Sequence, residues 1–345
     1  MPQFSSSVLE QYGRDVFAAI GSPPDIADAV ACSLVLADLS GHPSHGVMRI
    51  PDYVTYIEEG LVDPKVRPSI RPTTANTVFV DGHWGFGQIT AADAVAEVVK
   101  LAKTSGIAMA GIMNCNHVGR VGEWAELAAE SDVIAMMVVG GPSDIVTAPF
   151  GGAETALSTN PIAAGVPAGS RDPMILDFAT SAQAVGKIRI AQARGMQLPE
   201  NSILDSEGNS TTNPDDFFDG GLLLPFGGHK GSALSILIDA LGSGMTGSEL
   251  TDRYNKLGVI LIGIDPAVFR PRDEYGAAVD GLFDRVTGVR TAPGFDEVLI
   301  PGEPERRARV EQRRSGIEVA PATLQTLLDT AERLGIDAGV LSNEP

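Results

Sequence analysis

The sequence predicts an α/β protein: a largely parallel or mixed sheet covered on both faces, joined to a helical subdomain built from both chain ends. Three observations carry this. Short apolar runs of strand length alternate with longer helical patterns through the middle of the chain. Both ends show helical patterns only, each with prolines placed as first-turn residues. At 345 residues the chain exceeds the usual single-core size, so a second unit is the default. The boundaries expected are 1–72 with 301–345 for the helical part and 73–300 for the α/β part.

Two helical patterns open the chain, Val8 to Ile20 and Ile26 to Leu39, with Ser22-Pro23-Pro24 between them as stop and start. Gly41 ends the second, and a third begins near Ile50, because Pro51 is tolerated in a first turn. After a connector marked by Pro64, Pro68 and Pro72 the period changes. Thr77–Val80, Ile107–Met113, Val133–Val139, Ile162–Val166, Met174–Phe178, Val259–Ile264 and Glu297–Ile300 read as strands. Helical patterns cover Gln88–Lys103, Glu123–Glu130, Ser181–Arg194, Ser232–Leu241, Glu274–Arg285, Glu303–Arg314 and Pro321–Leu334.

A formal net charge of -19 argues against nucleic acid or an anionic membrane surface, both of which need clustered Lys and Arg. Arg306-Arg307 and Arg313-Arg314 are interleaved with Glu303, Glu305 and Glu311, the pattern of a solvated helix face. No apolar run is long enough for a membrane span. Two cysteines and no basic leader followed by an apolar run favour a cytoplasmic protein.

The stretch Ser44 to Tyr53 holds an imidazole, His45, a guanidinium, Arg49, and a phenol in a chain poor in histidine and aromatics. A general acid/base and a carboxylate clamp are what reduction of a 2-oxo acid by a bound hydride donor requires. His117 lies in a Gly/Asn-rich turn just past an apolar strand, where open α/β sheets place ligand-binding groups. Lys230 is flanked by glycines at a helix start, which suits a phosphate. Asp177, within an apolar strand, is costly unless hydrogen-bonded, as to a ribose or to Ser181. Gly242-Ser243-Gly244-Met245-Thr246-Gly247 matches a dinucleotide fingerprint literally, but it follows a helix where the mechanism needs a strand, so it is rejected. His42 and His45 share the spacing of a helical metal pair, yet Pro43 separates them and no third ligand is near; no metal is expected.

Several blocks together resemble the malate/L-lactate dehydrogenase family of NAD(P)-dependent oxidoreductases that lacks the usual Rossmann domain. They are Ser44-His45-Gly46 with Arg49 and Tyr53; Asn114 to Gly119; Ala148 to Gly152 with Thr159-Asn160-Pro161; Leu176 to Ser181; Phe226 to Gly231; and Pro301-Gly302-Glu303. The resemblance implies a non-Rossmann mixed-sheet NAD(P)-binding fold and a homodimer whose active site lies between the helical and cofactor-binding domains. It implies NADH or NADPH as cofactor and a small 2-oxo acid, 2-hydroxy acid or cyclic imino acid as substrate. His45 and His117 become the acid/base candidates, His45 favoured for its closeness to Arg49, and Ser44, Arg49 and Tyr53 face the substrate. Thr159, Asn160, Asp177, Phe178, Ala179, Gly228, His229, Lys230, Gly302 and Glu303 fall to the cofactor.

The chain departs from the family at His229, where tyrosine is common, at Cys115, where serine is usual, and in the turn Gly140-Gly141-Pro142-Ser143, which bears a serine or lysine differently in some members. These positions bear on cofactor preference and substrate identity. Two other classes stand beside the reductase: a non-catalytic small-molecule binding protein of the same fold, and a metal-dependent hydrolase using His42 and His45.

Overall fold

The computed structural model describes residues 1–342; the last three residues of the expected tail, 343–345, lie outside it. The main sheet has seven strands, in the order Ser69–Pro72, Thr77–Asp81, Ile107–Met113, Gly258–Ile264, Ile134–Gly140, Ile162–Val166, Met174–Phe178. It is mixed, since Thr77–Asp81 and Ile107–Met113 pair parallel while every other neighbouring pair is antiparallel. The helices Gly87–Ser105 and Val121–Glu130 cover one face over a core of small and β-branched side chains such as Ala94, Val98, Ala110, Ala125 and Val259. The helix His229–Leu241 covers part of the other, through Ile238 against Val138 and Ile260.

The two chain ends share one hydrophobic core. Leu9, Tyr12, Phe17, Leu34 and Ile50 from the N-terminal helices pack with Leu327 and Ala331 of the helix Pro321–Leu334. The Tyr12 hydroxyl donates to the Leu327 carbonyl at 2.6 Å, which satisfies a polar tip that burial would otherwise leave unpaired. Prolines 24, 51 and 321 sit in first helical turns, as the sequence requires.

Three expectations are corrected. The segment Glu297–Ile300 is not a strand: it runs unpaired into the turn before the helix Glu303–Ser315. Ser69–Pro72, expected within a connector, is an edge strand, where Pro72 costs nothing because an edge leaves donors unpaired. The helix expected from Ser181 starts only at Val185, because Ser181 bridges to Pro225.

Gly242 explains the false fingerprint. A Cβ there would meet the Gly258 carbonyl oxygen at 2.7 Å and the Gly140 backbone nitrogen at 2.8 Å, so the glycine lets the end of a helix touch two sheet strands. No helix among the described residues is long and apolar enough to cross a membrane.

Candidate active site

His45 lies in a 3-10 turn, Pro43–His45, followed by a second, Val47–Arg49, and then the helix Ile50–Glu58. The turn is held from beneath by Asp38, which is buried in the helix Pro24–Leu39 and accepts the Val47 N–H at 2.7 Å. Burial pushes the Asp38 carboxyl up to about 7. Gly46 is required here, since a Cβ would lie 2.0 Å from an Asp38 carboxylate oxygen. No sequence signal pointed to Asp38.

His117 comes from the loop between Ile107–Met113 and Val121–Glu130. Asn116 pins that loop by donating to the carbonyls of Trp84 at 2.8 Å and Gly85 at 3.1 Å. The two imidazoles stack with centroids 5.4 Å apart and planes 20° from parallel. Ser44 Oγ meets His45 Nδ1 at 3.0 Å, and Arg49 Nε donates to the Ser44 carbonyl at 2.8 Å. The structure therefore brings Ser44, His45, Arg49 and His117 together from two ends of the fold.

Tyr53, expected to face the substrate, is buried, and its hydroxyl is committed to protein. Gln88 Nε2 donates to it at 2.8 Å, and it in turn lies 2.7 Å from His117 Nδ1. With its own proton directed at Nδ1, the phenol holds His117 neutral with Nε2 as the protonated nitrogen. Gln88, buried on the helix Gly87–Ser105, is a second residue with no local sequence signal to single it out. Burial lowers the His45 pKa to about 4, with Arg49, His42 and Arg120 adding to it. Burial, His45 and Arg49 hold His117 well below the ordinary histidine value.

The cofactor candidates separate into two groups on opposite faces of one strand. Adjacent residues of a strand point to opposite sides. Phe178 packs edge-on against Phe226 at 5.4 Å, beside the loop that leads to Gly228, His229 and Lys230. Thr180 ties the same place together, its hydroxyl donating to the carbonyls of Thr159 at 2.9 Å and Asn160 at 3.1 Å, and its carbonyl accepting from Phe226 N–H at 3.0 Å. Ala179 lies between the two anchors. Asp177 points the other way: it accepts from the Gly122 N–H at 2.8 Å, with Arg120 Nη1 at 3.8 Å, and Ser181 bonds instead to the Gln183 carbonyl. Gly302 and Glu303 lie on that side too, Gly302 ending against Ile175 and Glu303 accepting from the Ile300 N–H at 3.3 Å. The gap that Gly302 shares with Arg120, Asp177 and Arg309 has no room for a water molecule.

The first group offers a helix start and polar groups that suit an anionic ligand. Gly227 and Gly228 have φ of 56° and 60°, values that favour glycine, and the helix they start has no side-chain cap on its N–H groups. Lys230 and His229 are exposed at that helix start, His229 edge-on to Phe150 at 5.9 Å. Asn160 is fully buried with φ 35°; its amide nitrogen donates to the Ser235 carbonyl and hydroxyl at 3.1 Å each, and its Oδ1 has no protein partner. A bound amide or hydroxyl group would satisfy that oxygen.

His42 turns away from His45 toward Glu305 Oε1 at 3.3 Å, so the two histidines do not converge. Among the described residues no group of three or more His, Cys, Asp or Glu side chains is placed to hold a metal ion.

The chain is similar to known proteins over nearly its whole length. The malate/L-lactate dehydrogenase family matches residues 4–328. The L-sulfolactate dehydrogenase of Methanothermobacter thermautotrophicus is 33% identical over 333 residues, 94% of this chain and 95% of that one. The Δ1-pyrroline-2-carboxylate/Δ1-piperideine-2-carboxylate reductase of Pseudomonas syringae pv. tomato is 33% identical over 328 residues, 92% and 93% of the two chains. The solved sulfolactate dehydrogenase of Methanocaldococcus jannaschii superposes with a TM-score of 0.89 at 32% identity, covering 98% of each chain. With a mixed sheet in place of a Rossmann domain and a match over nearly its whole length, the chain belongs to the malate/L-lactate dehydrogenase family of oxidoreductases.

Proposed function

We propose that the protein transfers a hydride between a nicotinamide nucleotide and C2 of a small 2-oxo or 2-hydroxy acid or a cyclic imino acid. The observation that carries this is the stacked pair His45–His117 beside Arg49, with an uncapped glycine-led helix start and an orphaned Asn160 oxygen on the neighbouring element. The relatives' names span a hydroxy acid, whose oxidised form has C=O at C2, and cyclic imino acids, which have C=N there.

The cofactor, when bound, supplies the hydride; Thr159, Asn160, Phe178, Ala179, Gly228, His229 and Lys230 would hold it. The chain's own residues do the rest. Arg49 takes the substrate carboxylate. His45 moves the proton at the C2 heteroatom, because its Nδ1 partner is a serine hydroxyl that can donate or accept, and so permits both protonation states. His117 is fixed neutral by Tyr53 and donates a hydrogen bond through Nε2, which stabilises charge developing on the substrate oxygen. We assign Asp177, Gly302 and Glu303 the role of supporting this wall from behind.

The helix His229–Leu241 leaves Ile236 and Leu237 each 53% exposed, and Met245 follows at 53%. That apolar stripe beside the cofactor cradle supports a homodimer seated on it. Cys32 and Cys115 are both free thiols, in keeping with a cytoplasmic setting.

The test is absorbance at the nicotinamide band with NADH or NADPH and a panel of 2-oxo and cyclic imino acids. Turnover with at least one substrate is expected, lost in His45→Asn with cofactor affinity retained. Loss in His117→Ala alone would reverse the two histidine roles. A protein that binds the cofactor but turns over nothing would be the non-catalytic form of this fold.

A further inference from the structure

Resting on the reductase reading above, we infer that the substrate carries one anionic group only, its distal end being neutral or cationic. The observation is the company Arg49 keeps. Asp52, one turn along the same helix, places Oδ2 3.0 Å from Arg49 Nη1, while Nε is already spent on the Ser44 carbonyl. The guanidinium therefore enters the site half-neutralised, with Nη2 left for one carboxylate.

Beyond Asp52 the neighbouring Arg253 is engaged elsewhere, its guanidinium lying over the Trp84 ring at 5.1 Å and donating to the Gly60 carbonyl at 3.1 Å. Tyr56 follows on the same helical face and packs against Tyr254, ring centroids 6.3 Å apart. The Tyr254 hydroxyl donates to Asp144 Oδ1 at 3.1 Å. Burial, then Asp144, raises the Tyr254 pKa to about 12, and burial, then Asp52, raises that of Tyr56, against a smaller opposing effect of Arg49. Asp144 ends the turn that begins Gly140-Gly141-Pro142-Ser143, which contains no basic residue. A second carboxylate or a sulfonate on the substrate would thus face two acids and an arginine already paired. A methyl, a methylene ring or an ammonium would not. Lys256, whose backbone N–H donates to Ser143 Oγ at 2.6 Å, is the nearby basic residue that could oppose this polarity.

The full-length enzyme is assayed with pyruvate, 2-oxobutyrate and Δ1-piperideine-2-carboxylate against oxaloacetate and 2-oxoglutarate. Monoanions should be favoured in kcat/KM by about tenfold or more, and Asp52→Asn should raise the dianion-to-monoanion ratio several-fold at low salt, less at high salt. Asp144→Asn, on an exposed loop, should shift the ratio the same way and serves if Asp52→Asn does not fold. A wild-type preference for dianions, above all one abolished in Lys256→Met, would overturn the inference while leaving the reductase reading intact. So would a ratio unmoved in both aspartate variants. Absence of turnover with every substrate, together with no cofactor binding, would instead defeat the reductase reading itself and this inference with it.

Discussion

The two histidines differ less in position than in what each is tied to. His45 has a serine, which tolerates either protonation state; His117 has a phenol whose own proton is committed by Gln88. Tyr53→Phe removes the group that holds His117 Nδ1, and should lower kcat by about 10- to 100-fold while leaving the cofactor Kd nearly unchanged, read by steady-state kinetics and fluorescence titration. For the oxidation of a 2-hydroxy acid the base must be unprotonated. With His45 at about 4, kcat/KM in that direction should rise with pH through about 4 and stay level above about 5 to 6, whereas reduction should weaken as pH climbs. Ser44, His45, Arg49 and His117 were legible in the sequence because reactive side chains stood together in short blocks. Gln88 was not: it is one polar residue in a helical run, and its partner lies 35 residues away, beyond the reach of any local pattern.

At the scale of elements, the turn that carries His45 and Arg49 depends on a residue in a different helix. Asp38→Ala leaves the Val47 N–H without an acceptor in a buried place, a loss of about 1–3 kcal/mol in urea melts, offset in part by removing a buried carboxyl. Gly46→Ala should cost more, since the new methyl collides with the same carboxylate unless the turn moves, and activity should fall with it. Strand and helix positions were mostly legible, because apolar periodicity and first-turn prolines are local signals. The edge strand at Ser69–Pro72 was hidden by prolines that usually mark a connector, and Glu297–Ile300 has the apolar look of a strand without a free sheet edge to join. The two-sided fate of Asp177 and Phe178 follows from strand alternation, yet what each side packs against depends on the mixed sheet, and no strand order can be read from periodicity.

Across the whole molecule, the helical and α/β units are joined by buried ion pairs. Arg309, from the helix Glu303–Ser315, donates to Ser40 Oγ at 2.9 Å and to Glu126 Oε1 at 2.8 Å, and Arg120 reaches the same carboxylate at 3.2 Å. Arg309→Met should cost about 2–4 kcal/mol, lessened because Arg120 still pairs with Glu126. Glu123, which accepts from Ser33 across the same junction at 2.8 Å, is raised to about 7 by burial. Its folded form holds a proton that the unfolded chain releases near 4.5, so its contribution to stability is lost as pH rises from about 4.5 to about 7. The stability of Glu123→Gln relative to the parent should therefore grow over that interval and level off above it, measured by thermal melts at pH 5, 6, 7 and 8.

The strand Gly258–Ile264 occupies the middle of the sheet although it comes late in the chain, between Ile107–Met113 and Ile134–Gly140. During synthesis, then, the two strands that flank it emerge with facing edges open, and neither can be closed until the ribosome has passed residue 264. Unpaired apolar edges are templates for association with other chains. Released chains that end before Gly258 should pellet to a greater extent than chains that include residues 258–264, and full-length chains, which also bring Leu327 and Ala331 to the helical core, should pellet least, so that folding in the cell becomes a race between translation and aggregation decided in the last third of the chain.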